Sequence, residues 1–220
     1  FPRGAGNKRW AYLSDFERLN HRMHNKSFTA DASVTIVGGR NVGDEYFGAA
    51  VESLFADMDV IAFGKVARDV SNAFDRYWNS DVVYPIETVV GKAGPEAVAA
   101  MKARFATVQA SEAAAAYAEA VRVAAGSWPV ASLQLLEWTS THLVFDDPVK
   151  ATGKAARSDL LFTRLMQASG KPRRTIDLIS PYFVPGKDGT ASLVAAARSG
   201  VKVRIVTNSL AATDVAAVHA

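Results

Sequence analysis

The sequence contains no cysteine, and no run of about 18 or more apolar residues occurs in it. Without cysteine, neither a disulfide framework nor a thiolate metal site can form. The absence of cysteine is compatible with a reducing compartment but does not demonstrate one. The N-terminal residues of this stretch lack the apolar core of a signal peptide. We therefore expect any membrane contact of this stretch to be peripheral, while a spanning segment elsewhere in a longer protein stays open.

Several catalytic signatures are absent from the sequence as well, namely a Walker loop, a zinc-ligand spacing and a serine nucleophile elbow. The composition, with 49% hydrophobic residues among 220, is that of a globular chain that can bury a core. The formal net charge is +3. This mild excess of cations suits an anionic partner such as a phospholipid head group or a nucleic acid, but it does not choose between them.

The most informative stretch combines an imidazole, an ammonium group, a carboxylate and a glycine turn that ends in a carboxamide. Its members are His24, Lys26, Asp31, Gly38, Gly39 and Asn41. In an extended segment, residues two apart point to the same face, so His24 and Lys26 are predicted to share one side of a strand with Phe28. A nucleophile and a phosphate ligand would then share one pocket, which suits the binding and attack of a phosphodiester.

The spacing His24-x-Lys26-x4-Asp31-x6-Gly38-Gly39-x-Asn41 resembles the HKD motif of the phospholipase D superfamily. The surrounding sequence is similar to bacterial cardiolipin synthases of the C type, and segments 74–80, 180–186 and 207–210 agree with that subgroup. Enzymes of the superfamily carry two such motifs, one in each of two lobes that meet at a single active site. Only one motif is found here, because the other histidines lack the required lysine and aspartate. Those histidines are His21, His142 and His219.

The resemblance implies a piece of a longer protein. We expect residues 1–170 to form a first phospholipase D-like lobe, truncated at its N-terminus, with the HKD motif and a helical insertion. Residues 171–220 are expected to begin a second, similar lobe that is truncated at its C-terminus.

The pattern of apolar residues and glycines predicts an α/β fold in which a mixed β-sheet is flanked by helices. Strands are predicted at 19–30, 33–37, 58–63, 175–180 and 201–206, and helices at 65–78, 158–167 and 190–198. The alanine-rich stretch 95–125 is helix-forming, and 133–145 has extended character. The final strand-helix-strand unit predicts a parallel pair of strands.

The resemblance also implies roles for the site residues. His24 would either attack phosphorus to form a phosphohistidine, the role favoured for a histidine of the N-terminal lobe, or protonate the leaving alkoxide. Lys26 and Asn41 would hold the phosphate oxygens. Gly38 and Gly39 would let the backbone come close to the substrate. A core histidine, a surface lysine and a turn asparagine are the structural alternatives for the three side chains.

Three acidic residues complete the predicted site. Asp31 is expected to order the junction of the first two strands and to balance the charge of Lys26. Asp57 is expected to hold the second ring nitrogen of His24, with Asp59 as the alternative and an exposed acidic turn as the structural explanation for both. The pair Asp146-Asp147 before a proline is more typical of a turn than of a metal site.

The activity implied by the resemblance is that of a phosphatidyltransferase similar to cardiolipin synthase, which needs no metal or other cofactor. The expected partners are an anionic phospholipid substrate, a membrane surface and the second HKD lobe of the same full-length chain, with no nucleic acid. The expected location is the cytoplasmic face of the bacterial inner membrane, peripheral or anchored through sequence outside this stretch. A phospholipase D-type hydrolase, a nuclease of the superfamily and an inactive half-site fragment are the alternatives.

Overall fold

The computed structural model describes residues 23–49, 55–88, 90–126 and 134–211. The chain divides into two compact units, Phe1–Leu160 and Leu161–Ala220. The sequence placed the boundary between its two expected lobes after residue 170. The boundaries differ because the helix Leu161–Ser169 makes its contacts within the second unit and is therefore assigned to it.

The first unit is built on a three-stranded antiparallel sheet with the strand order β1-β2-β3. The strands are β1 (Ser27–Ala30), β2 (Val34–Gly38) and β3 (Asp59–Phe63). Two predicted strands, at 33–37 and 58–63, are confirmed to within one residue at each end. The strand predicted at 19–30 is extended from Ser27 onward, and positions 19–22 of that prediction lie outside the described residues.

A tight turn joins β1 to β2 at Asp31 and Ala32, where the sequence placed it. Both residues have positive φ, 52° and 49°, and the amide of Ser33 donates to the carbonyl of Ala30 over 3.0 Å. Aspartate tolerates the left-handed region, whereas alanine has no side-chain group that compensates for the steric cost. The turn therefore stores some backbone strain at Ala32.

One face of this sheet is covered by a helix. A short helical turn, α1 (Asp44–Phe47), follows β2, and α2 (Lys65–Trp78) follows β3 after Gly64. The helix predicted at 65–78 is thus confirmed. It packs against all three strands and buries Ala67 and Val70, while Thr35 in the central strand is 1% exposed.

The opposite face of the sheet is open. Because side chains alternate along a strand, Phe28 and Ile36 point away from buried Thr35, and they are 70% and 39% exposed. The register continues the same face from Phe28 toward Lys26 and from Ile36 toward Gly38. Lys26 and Gly38 therefore lie toward one end of this face, whereas Asp31 lies in the turn at the other end.

The alanine-rich stretch forms two helices, α3 (Pro95–Gln109) and α4 (Glu112–Gly126), which contact each other. The sequence indicated helix throughout 95–125 and did not locate the break. Ser111 makes it, because its hydroxyl accepts a hydrogen bond from the amide of Ala114 over 3.2 Å and so begins a new helix. Neither helix contains a buried residue.

The extended character predicted for 133–145 was wrong for the described part of that range, since residues 134–147 form no strand. A short 3-10 helix, Pro148–Thr152, follows, and the Asp147 carboxylate caps it by accepting from the amide of Val149 over 3.0 Å. Asp147 also pairs with Arg76, and Asp146 pairs with Lys150. Asp147 thus has the turn role that the sequence favours, and Asp146 forms an ion pair with a residue of the same 3-10 helix.

The second unit contains α5 (Leu161–Ser169), β4 (Thr175–Ile179), α6 (Gly186–Arg198) and β5 (Lys202–Val206). The two strands pair in parallel, as predicted. The helix begins at Gly186, earlier than the predicted residue 190. Val201, which is 6% exposed, marks the small core beneath this crossover.

The protein is therefore of the α/β class, as expected. The antiparallel and parallel pairings occur in two separate sheets, one in each unit. Over the described ranges, none of the helices has the length and apolar character needed to cross a membrane.

Candidate functional site

His24 and Lys26 are in direct contact at the start of β1. The Nζ atom of Lys26 lies 3.1 Å from Nδ1 of His24 and donates to the carbonyl oxygen of His24 over 2.9 Å. A protonated lysine has only donors, so Nδ1 accepts and the ring proton sits on Nε2. The prediction that these side chains share one side of the chain agrees with this contact.

The register of the sheet relates Lys26 to the glycine turn. Ser27, the first residue of β1, pairs with Val37, so Lys26 precedes β1 at the end of the sheet where β2 reaches Gly38. Gly38 in turn pairs with Asp59 on β3. A glycine and a carboxylate therefore lie side by side across β2 and β3, and the motif lysine precedes the neighbouring strand at the same end.

Both glycines of the turn lie against carboxylates. A Cβ atom built on Gly38 would lie 1.8 Å from Oδ1 of Asp59, and one built on Gly39 would lie 2.5 Å from both carboxylate oxygens of Asp57. Real side chains do not approach so closely. A side chain at Gly38 would also meet the Cα atom of Asp59 at 2.9 Å, whereas one at Gly39 would have to displace only the Asp57 carboxylate. These contacts favour glycine for a reason other than the approach of a substrate proposed from the sequence.

Arg40 connects the parts of this turn, and sequence reasoning missed it. Its Nε donates to Oδ2 of Asp59 over 2.6 Å, and one NH2 group donates to the carbonyl of Asp57 over 3.2 Å. The other NH2 group donates to the carbonyl of Tyr46, and the guanidinium lies 5.8 Å from the ring centroid of Phe47. A single planar cation thus links the turn to β3 and to α1.

Asn41 makes a hydrogen bond within the loop. Its Nδ2 donates to the hydroxyl of Tyr46 over 2.9 Å, and the Tyr46 ring packs edge to face against Phe55 at 5.2 Å. An amide has two N–H donors, so this bond orients the group while the second donor is available to a ligand. Tyr46 was also missed from the sequence, where an aromatic residue five positions after the asparagine gave no distinctive signal.

The acidic residues predicted for the site take separate positions. Oδ1 of Asp57 accepts from the amide of Met58 over 2.9 Å. Across the part of the chain that the structure describes, no hydrogen bond joins His24 to Asp31, Asp57 or Asp59. The orientation of His24 by Asp57 therefore stays a prediction.

Asp31 lies in the turn at the far end of β1 from the motif lysine. The four residues of β1 separate Asp31 from Lys26, and the five steps along the chain span about 16 Å at the usual rise of a strand. Any balance between these two charges would therefore act at long range. The local role of Asp31 is to form the turn.

A separate cavity of about 380 Å³ lies between α2 and residues 141–145, away from the glycine turn. His142 lines it, together with Lys65 and Arg76, which pair with Asp69 and Asp147. Its cations are thus engaged in ion pairs. We place the candidate site at the end of the sheet where the His24–Lys26 contact precedes β1 and the Gly38-Gly39 turn follows β2.

The sequence is similar to known bacterial proteins. It is 46% identical to cardiolipin synthase C of Escherichia coli over 217 residues, which covers 95% of this chain and 44% of that protein. This chain is similar to a cardiolipin synthase. It is also 24% identical over 189 residues to cardiolipin synthase 1 of Staphylococcus epidermidis, covering 86% of the chain and 30% of that protein.

A protein of Helicobacter pylori described only as uncharacterized is 26% identical over 228 residues, covering all of the chain and 43% of that protein. The chain spans less than half the length of these relatives. No protein-family model matches the chain, and no solved structure does.

Proposed function

We propose that this chain carries one half of the active site of a phosphatidyltransferase similar to cardiolipin synthase. The observation that carries the proposal is the contact of Lys26 with His24 beside the Gly38-Gly39 turn, in a sequence 46% identical to cardiolipin synthase C. We propose an anionic phospholipid as substrate and the cytoplasmic face of the bacterial inner membrane as the place of action.

In the proposed reaction, Nε2 of His24 attacks the phosphorus of a phospholipid. The bond from phosphorus to the oxygen of the leaving alcohol breaks, and that oxygen takes a proton from a second histidine motif outside this sequence. The hydroxyl of an acceptor phospholipid then attacks the phosphohistidine and gives its proton to the second histidine, which lost one in the first step. The bond from phosphorus to nitrogen breaks, its electron pair returns to His24, and no net charge or redox equivalent is left over.

The contact between Lys26 and His24 defines a resting arrangement in this proposal. While Nδ1 accepts from the ammonium, the proton occupies Nε2, and that nitrogen cannot attack. A phosphate oxygen is a stronger acceptor for a lysine than an imidazole is, so substrate would draw Lys26 away from the ring. Nδ1 could then carry the proton, with Asp57 as its proposed acceptor, and Nε2 would be free.

The remaining groups would stabilise the transition state. Lys26 would neutralise the charge that builds on the phosphate oxygens, and the free amide donor of Asn41 would add a hydrogen bond to them. Arg40 is proposed as a positioning residue, because three of its five N–H donors already bind Asp59 and two carbonyl groups.

The test uses the longer protein that contains this chain, with labelled phosphatidylglycerol in EDTA. We expect His24→Gln to lower cardiolipin formation by at least about a thousandfold and to abolish a labelled, acid-labile phosphohistidine. The matched control is His142→Gln, which alters a histidine away from the motif and should keep activity within about twofold. Full activity in His24→Gln would contradict the proposal, and phosphatidic acid as the main product would identify a hydrolase instead.

A further inference from the structure

Tyr46 is a half-buried residue of α1 that is held from three directions. Its amide donates to the carbonyl of Gly43 over 3.0 Å, and its own carbonyl accepts from the guanidinium of Arg40. Its ring packs edge to face against Phe55, with the ring centroids 5.2 Å apart. Because a tyrosine side chain has few rotatable bonds, these contacts keep its hydroxyl group in one place.

The hydroxyl of Tyr46 fixes the carboxamide of Asn41. It accepts a hydrogen bond from Nδ2 of Asn41 over 2.9 Å. Asn41 is exposed, and an exposed carboxamide without a partner would turn over a broad range of angles. With one N–H held by a fixed oxygen, the second N–H and the carbonyl oxygen of Asn41 each point in one direction.

The orientation of this carboxamide decides how it meets a phosphate group. Its N–H side attracts the phosphate oxygens, whereas its carbonyl side repels them, and a half-turn exchanges the two sides. Donors that are oriented before the reaction stabilise developing charge best, because nothing has to reorganise in the transition state. A hydrogen bond that fixes Asn41 from outside the substrate would therefore speed the chemical step.

Tyr46 also connects Asn41 to the strand that carries the proposed acid. The guanidinium of Arg40 binds the carbonyl of Tyr46, the carboxylate of Asp59 over 2.6 Å and the carbonyl of Asp57 over 3.2 Å. Tyr46 thus lies between the proposed phosphate ligand and the cation that links the glycine turn to β3. Both ends of this residue, its carbonyl and its hydroxyl, are engaged with residues of the turn.

We propose that Tyr46 is a positioning residue for phosphatidyl transfer, which acts through Asn41 and does not touch the substrate. Its hydroxyl holds the Asn41 carboxamide with one N–H turned toward the phosphate oxygens. The inference rests on the proposed function, which gives Asn41 those oxygens as its ligand. It adds a residue that lies outside the spacing of the HKD motif.

The test is a double-mutant cycle in the longer protein, read as cardiolipin formation from labelled phosphatidylglycerol. Tyr46→Phe keeps the ring and its packing on Phe55 and removes only the hydroxyl. We expect it to lower kcat about three- to tenfold and to change KM by less than about twofold, since Asn41 acts on the transition state. In an Asn41→Ala background, Tyr46→Phe should change kcat by less than about twofold, because the group that it positions is absent.

The matched control is Tyr117→Phe, which removes the hydroxyl of a 39% exposed tyrosine on α4 and should leave kcat as in the parent. Urea midpoints verify that the assayed variants are folded. A fall in kcat for Tyr46→Phe that is equally large in the Asn41→Ala background would overturn the inference, because the loss would not pass through Asn41. A parent-like kcat for Tyr46→Phe would overturn it as well.

An NMR spectrum separates this inference from the proposed function. In the 220-residue chain with isotope-labelled asparagine, the side-chain amide signals of Asn41 are identified by their loss in Asn41→Ala. Tyr46→Phe should shift these signals, and Tyr117→Phe should not. Such a shift, in a protein whose longer form transfers no phosphatidyl group, would refute the proposed function while the hydrogen bond stands. Unshifted signals, where the longer form is active, would refute the inference alone.

Discussion

At the scale of single residues, the glycines of the turn are explained by the lack of room for a side chain. Neither Gly38 nor Gly39 has the positive φ that Gly48 and Gly64 show. The atoms that exclude a side chain are those of Asp59 at the first glycine and of Asp57 at the second. The turn and the two acids therefore depend on each other, and mutations can separate their contributions.

We predict that Gly39→Ala lowers the free energy of unfolding by roughly 1–3 kcal/mol, because its Cβ would overlap the carboxylate of Asp57. Urea denaturation measures this cost. In an Asp57→Ala background the same substitution should cost much less, since all three close atoms belong to that side chain. The control is Gly91→Ala, where nothing lies within 4 Å. Equal costs of Gly39→Ala in both backgrounds would contradict this account.

Arg40 offers a second prediction at this scale. Its side chain is 30% exposed and that of Asp59 is 25% exposed, so the pair is partly shielded from water. The guanidinium of Arg40 binds a carboxylate and two carbonyl groups at once, which a lysine ammonium group cannot do. Arg40→Lys should therefore lower the free energy of unfolding, measured by urea denaturation, by roughly 1–3 kcal/mol. Arg122→Lys is the matched control, because its partner Glu119 is an exposed neighbour on one helix and the expected effect is close to zero. A cost for Arg40→Lys no larger than the control's would mean that the network around the turn is not structural.

At the scale of elements, the turn between β1 and β2 contains backbone strain that a single substitution can relieve. Ala32 has a φ of 49°, and glycine would adopt that value without a steric penalty. We predict that Ala32→Gly raises the free energy of unfolding by a few tenths to about 1 kcal/mol, the steric gain being reduced by the greater entropy of the unfolded chain. Ala103→Gly in the middle of α3 is the control and should do the opposite by about 1 kcal/mol. Destabilisation by both substitutions would show that the turn does not hold Ala32 in the left-handed region.

The parallel pair in the second unit provides a pH prediction. Asp177 on β4 and Arg204 on β5 are register partners, and the guanidinium donates to the carboxylate over 2.7 Å. That hydrogen bond, helped by the charges of Arg204 and Lys202, lowers the pKa of Asp177 below its ordinary value. A lowered pKa in the folded state means that the pair stabilises the fold above the unfolded pKa of about 3.9 and loses this effect as pH falls through the folded value.

The stability difference between the parent and Asp177→Asn should therefore be present near neutral pH and disappear in acid. Urea midpoints at about pH 7 and about pH 3 measure it, and added salt should shrink it because both side chains are exposed. Arg204→Gln should lose the same pH-dependent part. A difference for Asp177→Asn that persists unchanged in acid would assign its effect to packing rather than to the ion pair.

The local elements show where sequence reasoning succeeds and where it fails. The bounds of β3 and α2 were predictable because the apolar pattern changes at Gly64 from that of a strand, with a period of two, to that of a helix, with a period of 3.6. The break at Ser111 was not found, since one hydroxyl in an alanine-rich stretch starts a helix without changing its apolar pattern. Residues 134–147 look extended in sequence but have no partner strand in the described chain, and a strand needs one.

The same limit applies to the site. The contact of His24 with Lys26 follows from a spacing of two along an extended chain, which a sequence displays directly. Two of the partners of Arg40, Asp57 and Asp59, come from positions 17 and 19 residues later, and only the register of β2 with β3 brings them within reach. Positioning residues of this kind depend on tertiary structure and leave no local pattern.

At the scale of the whole molecule, the proposal depends on whether a single HKD motif can catalyse phosphatidyl transfer. A nucleophile without a positioned acid must expel an unprotonated alkoxide, and general acid catalysis contributes about a hundred- to ten-thousandfold. We therefore predict that the 220-residue chain alone forms cardiolipin at no more than about 1% of the rate of the longer protein, with EDTA present in both assays.

The design separates three outcomes through the dependence of rate on concentration. A chain that works as half a site stays at or below about 1% of the longer protein's rate at every concentration, and the longer protein keeps its rate in EDTA. A rate that rises with the square of chain concentration and vanishes in His24→Ala would contradict the half-site proposal, because two copies would then supply nucleophile and acid to each other. Loss of the longer protein's activity in EDTA would refute the metal-free step, since a carboxylate and an imidazole need no divalent ion to hold and transfer the proton.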